Sequence, residues 1–144
     1  LGDSKTDAKL AKELVETAAL MPSVDAGRSL AAVIASDKAT AELRNAALGA
    51  IAVNIAGPWA ELEKDAKLRE TVTNLLQKDQ KAFHVAAMQL VGSAGWEQAT
   101  PALLTLASDA DVNADVRIRA IATAVDLRGS ELTEGLRKIL AASN

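Results

Sequence analysis

The chain has 144 residues, enough for one domain with a hydrophobic core of its own. It contains no cysteine, which excludes disulfides and thiolate metal sites, and its 16 basic and 19 acidic residues leave a net charge of −3, which gives no electrostatic case for binding phosphate backbones or anionic lipid. Apolar residues make up 49% of the chain, aromatics only 2%, and alanine alone about a fifth, a mixture that favours closely packed helices over sheets, so the expected class is all-α.

No apolar run reaches the roughly 20 residues that a membrane span needs. The opening LGDSKTDAKL lacks the charged-then-apolar layout of a signal peptide. The first residue is Leu1 rather than Met, from which the expectation is a processed or excised piece of a longer polypeptide, with its compartment open.

In chain order, Asp3 or Ser4 can cap a first helix running to about Leu20, with Leu10, Leu14, Val15 and Ala18 on its single apolar side, as an end cap should have. Pro22 stops it, and Ser23 starts a second helix with the tail LAAVIASD at 30–37. A third helix, about Thr40 to Ala56, is apolar nearly all round, which predicts cover on more than one side. Gly57 ends it and Pro58 suits the first turn of a long fourth helix over 58–78. The charged middle of that helix, ELEKDAKLRE, offers Glu63 with Lys67 and Asp65 with Arg69 as pairs on a solvated face. A short turn at Gln80-Lys81 leads to a helix over 83–94 closed by Gly95; Thr100-Pro101 then opens another as cap and first residue. A loop over 109–115 enters the helix beginning near Val116, and Ser130 caps a last one with Leu136, Ile139 and Leu140 on one face.

The stretch VRIRAIATAVDLRG at 116–129 has two earlier counterparts, displaced by 73 and 33 residues. The aligned columns are Leu43/Phe83/Val116, Arg44/His84/Arg117, Ala47/Ala87/Ala120, Leu48/Met88/Ile121 and Ile51/Val91/Ala124. A helical hairpin recurring every few tens of residues predicts a solenoid of about eight helices in four hairpins. Its expected units fall near 1–22 (a cap helix), 23–57, 58–95, 96–129 and 130–144 (a half repeat or cap), all within one domain spanning 1–144.

Two segments, IASDKATAELRNAAL (34–48) and LASDADVNADVRIRAI (106–121), run from a small-polar-Asp turn into a helix that opens apolar-Arg, and LQKDQKAFHVAAM (76–88) is a weaker third copy. Over about residues 23 to 144 the chain resembles the HEAT-repeat family of armadillo-type helical repeats, in its bacterial short-repeat form. The resemblance implies a right-handed α-α superhelix, and it implies that turn aspartates and second-helix arginines form a polar ladder between adjacent repeats. Here that ladder would pair Asp37 with Arg44, Asp79 with His84, and Asp109 or Asp111 with Arg117; the middle rung departs from the family pattern because His84 replaces arginine.

Asp109, Asp111, Asn113 and Asp115 match the opening of a calcium loop, but Ala114 and Ala120 stand where its glycine and bidentate glutamate belong, so these residues are expected to cap the following helix. His84 is the only histidine, and Ser93 in VGSAG lacks the glycine spacing and preceding strand of a nucleophile elbow. Trp59 and Trp96 each follow a repeat-terminating glycine. The leading reading is that each ring plugs the gap between hairpins. The alternative is an exposed anchor for a partner, which makes Trp59 and Trp96 the partner-binding candidates.

The expected function is a non-catalytic helical-repeat scaffold that mediates protein–protein interaction or spacing within a larger protein. Its partner is then another protein or a neighbouring domain of the same polypeptide, with no nucleic acid, membrane, metal or cofactor. The competing class is a HEAT-like enzyme or carrier, of the DNA glycosylase or bilin lyase kind. The basic cluster Arg117, Arg119, Arg128, Arg137 and Lys138 is the feature that nucleic acid would need. A third option is self-association through exposed end helices.

Overall fold

The computed structural model describes residues 4–128 and 133–142, and every regular element among them is helical. Eight α-helices follow one another: α1 (Ser4–Ala19), α2 (Val24–Ala35), α3 (Ala41–Asn54), α4 (Ala66–Asn74), α5 (His84–Ala94), α6 (Thr100–Ser108), α7 (Ala114–Arg128) and α8 (Thr133–Ala142). Short 3₁₀ turns at Ala60–Lys64, Lys81–Phe83 and Glu97–Ala99 lead into α4, α5 and α6.

The sequence punctuation sets most boundaries. The Ser23 hydroxyl accepts from the Asp25 N–H at 3.3 Å and the Thr40 hydroxyl from the Leu43 N–H at 3.2 Å, each relieving an orphan donor at a helix start. Helix α5 ends at Gly95, whose φ of 64° is the left-handed conformation that closes a helix most cheaply without a Cβ. There the Trp96 N–H reaches back to the Val91 carbonyl at 3.2 Å. The cap expected at Ser130 lies outside the described residues, as does Asp3.

Two expectations are corrected. The long helix over 58–78 is broken at Asp65, which is extended (φ −72°, ψ 101°) and caps α4 by accepting from the Leu68 N–H at 3.0 Å. Leu62 and Leu68 are both buried, yet six residues along one continuous α-helix would set them about 120° apart; the break turns both inward. With Asp65 acting as a cap and the helix interrupted between Glu63 and Lys67, neither of the expected pairs, Glu63 with Lys67 or Asp65 with Arg69, forms.

Thr100, expected as the cap of α6, is instead already helical, and Ala99 occupies the cap position without a side-chain bond. The Thr100 hydroxyl is buried with no partner. Replacing Thr100 by valine, which keeps the shape and deletes that hydroxyl, should therefore leave stability unchanged or raise it by up to about 1 kcal/mol. The check is the urea midpoint at constant m-value; a loss of more than about 1 kcal/mol would mean that the hydroxyl is hydrogen-bonded.

Helices α1, α3, α5 and α7 touch in succession, each on the next. Helix α2 packs on α3, α4 on α5 and α6 on α7 as consecutive hairpin partners, while α2 also meets α1 and α4, and α8 lies on α6. The core fills the space between the two sets: Leu30 and Ile34 of α2 and Leu48 and Ile51 of α3, then Leu68 and Val72 of α4, Met88 and Val91 of α5, and Leu103 and Leu106 of α6 are all buried. The aligned alanines Ala47, Ala87 and Ala120 are 0% exposed, and their small side chains let neighbouring helices approach closely.

Three helices bury less than their apolar content predicts. On α1 only Val15 is buried, while Leu10 and Leu14, expected on the same inner side, are 55% and 61% exposed. Helix α3 is covered by α1, α2 and α5 but leaves Val53 in solvent. On α8, Ile139 is buried and Leu140 is exposed; the side chain of Leu136 lies outside the described residues.

Candidate functional site

The turn edge holds the residues expected to form a polar ladder, but the bonds run to backbone rather than to aspartate. Arg44 Nε donates to the Ile34 carbonyl at 2.8 Å, and Arg117 Nε donates to the Ala107 carbonyl at 2.8 Å. Donor and acceptor both move by the same 73 residues that relate the sequence copies. His84 is 2% exposed and its Nε2 lies 2.7 Å from the Gln77 carbonyl, which can only accept, so that nitrogen carries the proton.

Each of these carbonyls ends the helix or turn that precedes the donor's own helix. Such groups have no partner within the helix and lose water when the next helix packs over them, so a part-buried guanidinium or imidazole satisfies them at short range. Asp37 and Asp79 lie exposed and form no ion pair with Arg44 or His84. The expected rungs between repeats are thus, for Arg44 and His84, bonds within one hairpin. Contact to the next hairpin comes from stacking: the Arg44 guanidinium sits 4.6 Å from the centroid of the Phe83 ring.

Asp109 Oδ1 accepts from the Asp111 N–H at 2.9 Å and Asn113 Oδ1 from the Asp115 N–H at 2.8 Å. These are local turns that lead into α7, while Asp111 stays exposed. Asp109 also approaches Lys78 at 3.9 Å, a loose tie to the preceding hairpin. Among the described residues, no group of three or more His, Asp or Glu is placed to hold a metal ion.

Trp59 and Trp96 do not project from the surface. They are 0% and 3% exposed, and each indole N–H donates to a backbone carbonyl from an earlier unit: Trp59 to Met21 at 3.0 Å, Trp96 to Glu63 at 2.8 Å. Both rings plug the gap between hairpins, so as partner contacts they are corrected to interior anchors. The cause is their position after the turn, where a large ring is the one group long enough to fill the gap and cap a helix end together.

What is exposed is the side of α3, α5 and α7 that faces away from α2, α4 and α6. Val85, Gln89, Gly92 and Ser93 form one exposed stripe along α5 with no charge in it. Beside it lie Val53 of α3, 76% exposed, and Ile118 of α7, 64% exposed, with Ala122 and Val125 on the same side of α7. Gly49 opens the surface further, since a Cβ there would meet nothing within 4 Å. Asn45, the counterpart of Val85 and Ile118, donates to the Ala82 carbonyl at 2.9 Å, which ties α3 to the 3₁₀ turn that leads into α5 and leaves the Asn45 Oδ1 buried without a partner. Glu42, Asp115 and Arg119 are exposed at the margins, and Asp126, the counterpart of Val53 and Ser93, puts one charge on the α7 part of this face. Sequence reasoning missed this face because apolar residues at helical spacing read as core.

A comparison with protein-family models, one with curated proteins and one with solved structures each give no match to this chain. No described helix is long and apolar enough to cross a membrane.

Proposed function

We propose that the chain is a HEAT-like helical-repeat module, a right-handed superhelix of hairpins, that binds a protein segment on the side formed by α3, α5 and α7. The observation that carries this reading is the exposed stripe of α5, uncharged along its length and continued by Val53 and Ile118 on the helices to either side. Large exposed apolar side chains gathered on one side of a fold mark interaction surfaces more often than solvated ones. The recurrence of the Arg44 and Arg117 bonds at the interval of the sequence repeat supports the repeat architecture. The module is proposed to be non-catalytic: its one histidine is buried against a carbonyl, Asp109 closes a turn and Asp65 caps α4, while Asp37, Asp79 and Asp111 lie apart on the surface.

A helical surface that is uncharged along α5 and carries Val85, Val53 and Ile118 among small and neutral residues suits the apolar side of an amphipathic helix, which lays residues spaced three and four apart against it. The expected result is that 16-residue peptides selected from a displayed library carry that spacing. Their binding should fall at least tenfold when Val85 and Ile118 are both changed to glutamate, since a charge buried against an apolar helix is strongly unfavourable. Circular dichroism of the double variant should match the parent. Peptides that bind equally well to the parent and the double variant would place the contact elsewhere.

A further inference from the structure

We propose that the gap between the α2/α3 and α4/α5 hairpins binds a free α-amino acid with an aliphatic side chain, its carboxylate held by Arg44 and its ammonium by Asp37. The site lies at the turn edge between α2 and α4, away from the exposed side of α3, α5 and α7. It does not depend on where a protein segment docks.

A cavity of about 410 Å³ opens there, lined by Asp37 and Arg44 of one hairpin and by Thr71, Asn74, Gln77 and Gln80 of the next. Arg44 is fixed in place by the fold itself: its Nε donates to the Ile34 carbonyl at 2.8 Å and its guanidinium lies 4.6 Å from the centroid of the Phe83 ring. Its Nη1 and Nη2 take no partner among the described residues. A guanidinium held in this way presents N–H donors at the spacing that a carboxylate accepts in pairs, and it loses little side-chain freedom on binding.

Arg44 alone would favour any anion, and Asp37 narrows the choice. It is exposed, lines the same cavity and pairs with no cation among the described residues, Arg44 included. A simple anion meets Asp37 as a like charge, whereas a zwitterion meets both groups with opposite charge. The side-chain amides of Asn74, Gln77 and Gln80 take no partner among the described residues, so each can donate to the carboxylate or accept from the ammonium.

The aliphatic side chain is assigned from what adjoins the cavity. A second hollow of about 170 Å³ begins where the first ends, since Ala35 and Thr71 line both, and its walls include Ala31, Ala32 and Leu68. Thr71 turns its hydroxyl back to the Lys67 carbonyl at 2.8 Å, which leaves the passage between the two without a polar group in need of a partner. Arg28, also on the wall of the second hollow, is tied across the gap to Glu61 at 3.3 Å. That bridge suits a single amino acid better than a peptide running through.

The next gap lacks these groups. There His84 stands in the Arg44 column with its Nε2 against the Gln77 carbonyl, and Asp109 approaches Lys78 at 3.9 Å. The hollow between α4 and α6 is lined in part by Leu76, Ala102 and Leu106. The uncommitted guanidinium beside an unpaired carboxylate therefore belongs to the first gap and is not a by-product of repetition.

The test is calorimetric titration of the full chain with L-leucine, L-methionine, glycine, L-leucinamide and N-acetyl-L-leucine. Leucine or methionine should bind with a dissociation constant of about 1 mM or below, at least tenfold more tightly than glycine. Leucinamide, which lacks the carboxylate, and N-acetyl-leucine, which lacks the ammonium, should each bind at least tenfold more weakly than leucine. Asp37→Asn, at a side chain with no bond to lose, should weaken leucine binding at least tenfold and leave that of N-acetyl-leucine within about twofold. Ala35→Leu, at the exposed end of α2, should block the passage and abolish binding. Circular dichroism melts of both variants should match that of the parent. Failure of both leucine and methionine to bind at concentrations up to about 10 mM overturns the proposal. So does leucine binding that survives in both variants, or leucinamide binding as tightly as leucine. Neither variant touches Val85 or Ile118, so this outcome is separate from that of the peptide selection.

Discussion

Replacing Ala120 by aspartate should unfold the C-terminal half of the chain at neutral pH. Ala120 is 0% exposed on the helix that packs against both α5 and α6, and its aligned counterparts Ala47 and Ala87 are equally covered. A carboxylate placed there would lose its water at the close approach that alanine permits. An uncompensated buried charge costs about 3–5 kcal/mol. Set against the roughly 5–15 kcal/mol that holds an ordinary domain together, this is enough to abolish cooperative melting of the region. The defect should depend on pH in a defined direction. Burial raises the folded-state pKa of the introduced carboxyl above its unfolded value of about 3.9, so stability is lost as pH rises through the folded value and returns as pH falls below it. Ile121→Asp, one position along at a partly covered site, should cost less than half as much. Circular dichroism melts at pH 7 and near pH 4 decide the matter; an Ala120→Asp melt equal to that of the parent at both would show that α7 does not pack on its neighbours.

The helices were legible because their ends are written in local chemistry. Ser23 and Thr40 are caps wherever the chain goes next, and Gly95 closes a helix through a backbone conformation that its missing side chain permits. The small-residue column was legible for a related reason: Ala47, Ala87 and Ala120, aligned in the sequence, are all buried where helices approach closely. What the sequence left open was which partner each polar group takes. Arg44 and Arg117 were recognisable as equivalent, but the pull of an orphan carbonyl at Ile34 or Ala107 depends on how the next helix excludes water, a property of the assembled hairpin. Periodicity was equally silent on Leu10, Leu14 and Val53, since an apolar residue on a helix reads the same whether or not another helix arrives to cover it. The break at Asp65 was hidden too, because ELEKDAKLRE satisfies every local rule for a helix and yields only to the need to bury Leu62 and Leu68 together.

The other large effect is expected at Trp59. Its ring is fully buried between units, and its indole N–H holds the Met21 carbonyl at the turn that follows α1. Trp59→Ala removes the plug and should cost about 3–5 kcal/mol, the usual range for deleting a large core aromatic. Trp59→Phe keeps most of the volume but leaves the Met21 carbonyl without its donor, which should cost about 1–3 kcal/mol. The surface that receives the ring makes this an interaction between particular residues rather than a general loss of bulk. Gly27 of α2 lies flat against it: a Cβ there would stand 3.0 Å from Cδ2 of Trp59 and 2.6 Å from Cδ1 of Leu62. Leu62 can swing its side chain aside only if the ring gives it room, so Gly27→Ala should destabilise the parent by about 1–3 kcal/mol through overpacking. In the Trp59→Ala background the same substitution should cost markedly less, because the cavity accepts both the new methyl and the displaced leucine. A double-mutant cycle from urea midpoints measures this coupling, which contacting residues show at about 0.5–3 kcal/mol. Additive costs would mean that Trp59 and Gly27 do not share a contact, and the ring would then have to lie somewhere other than between the first two hairpins.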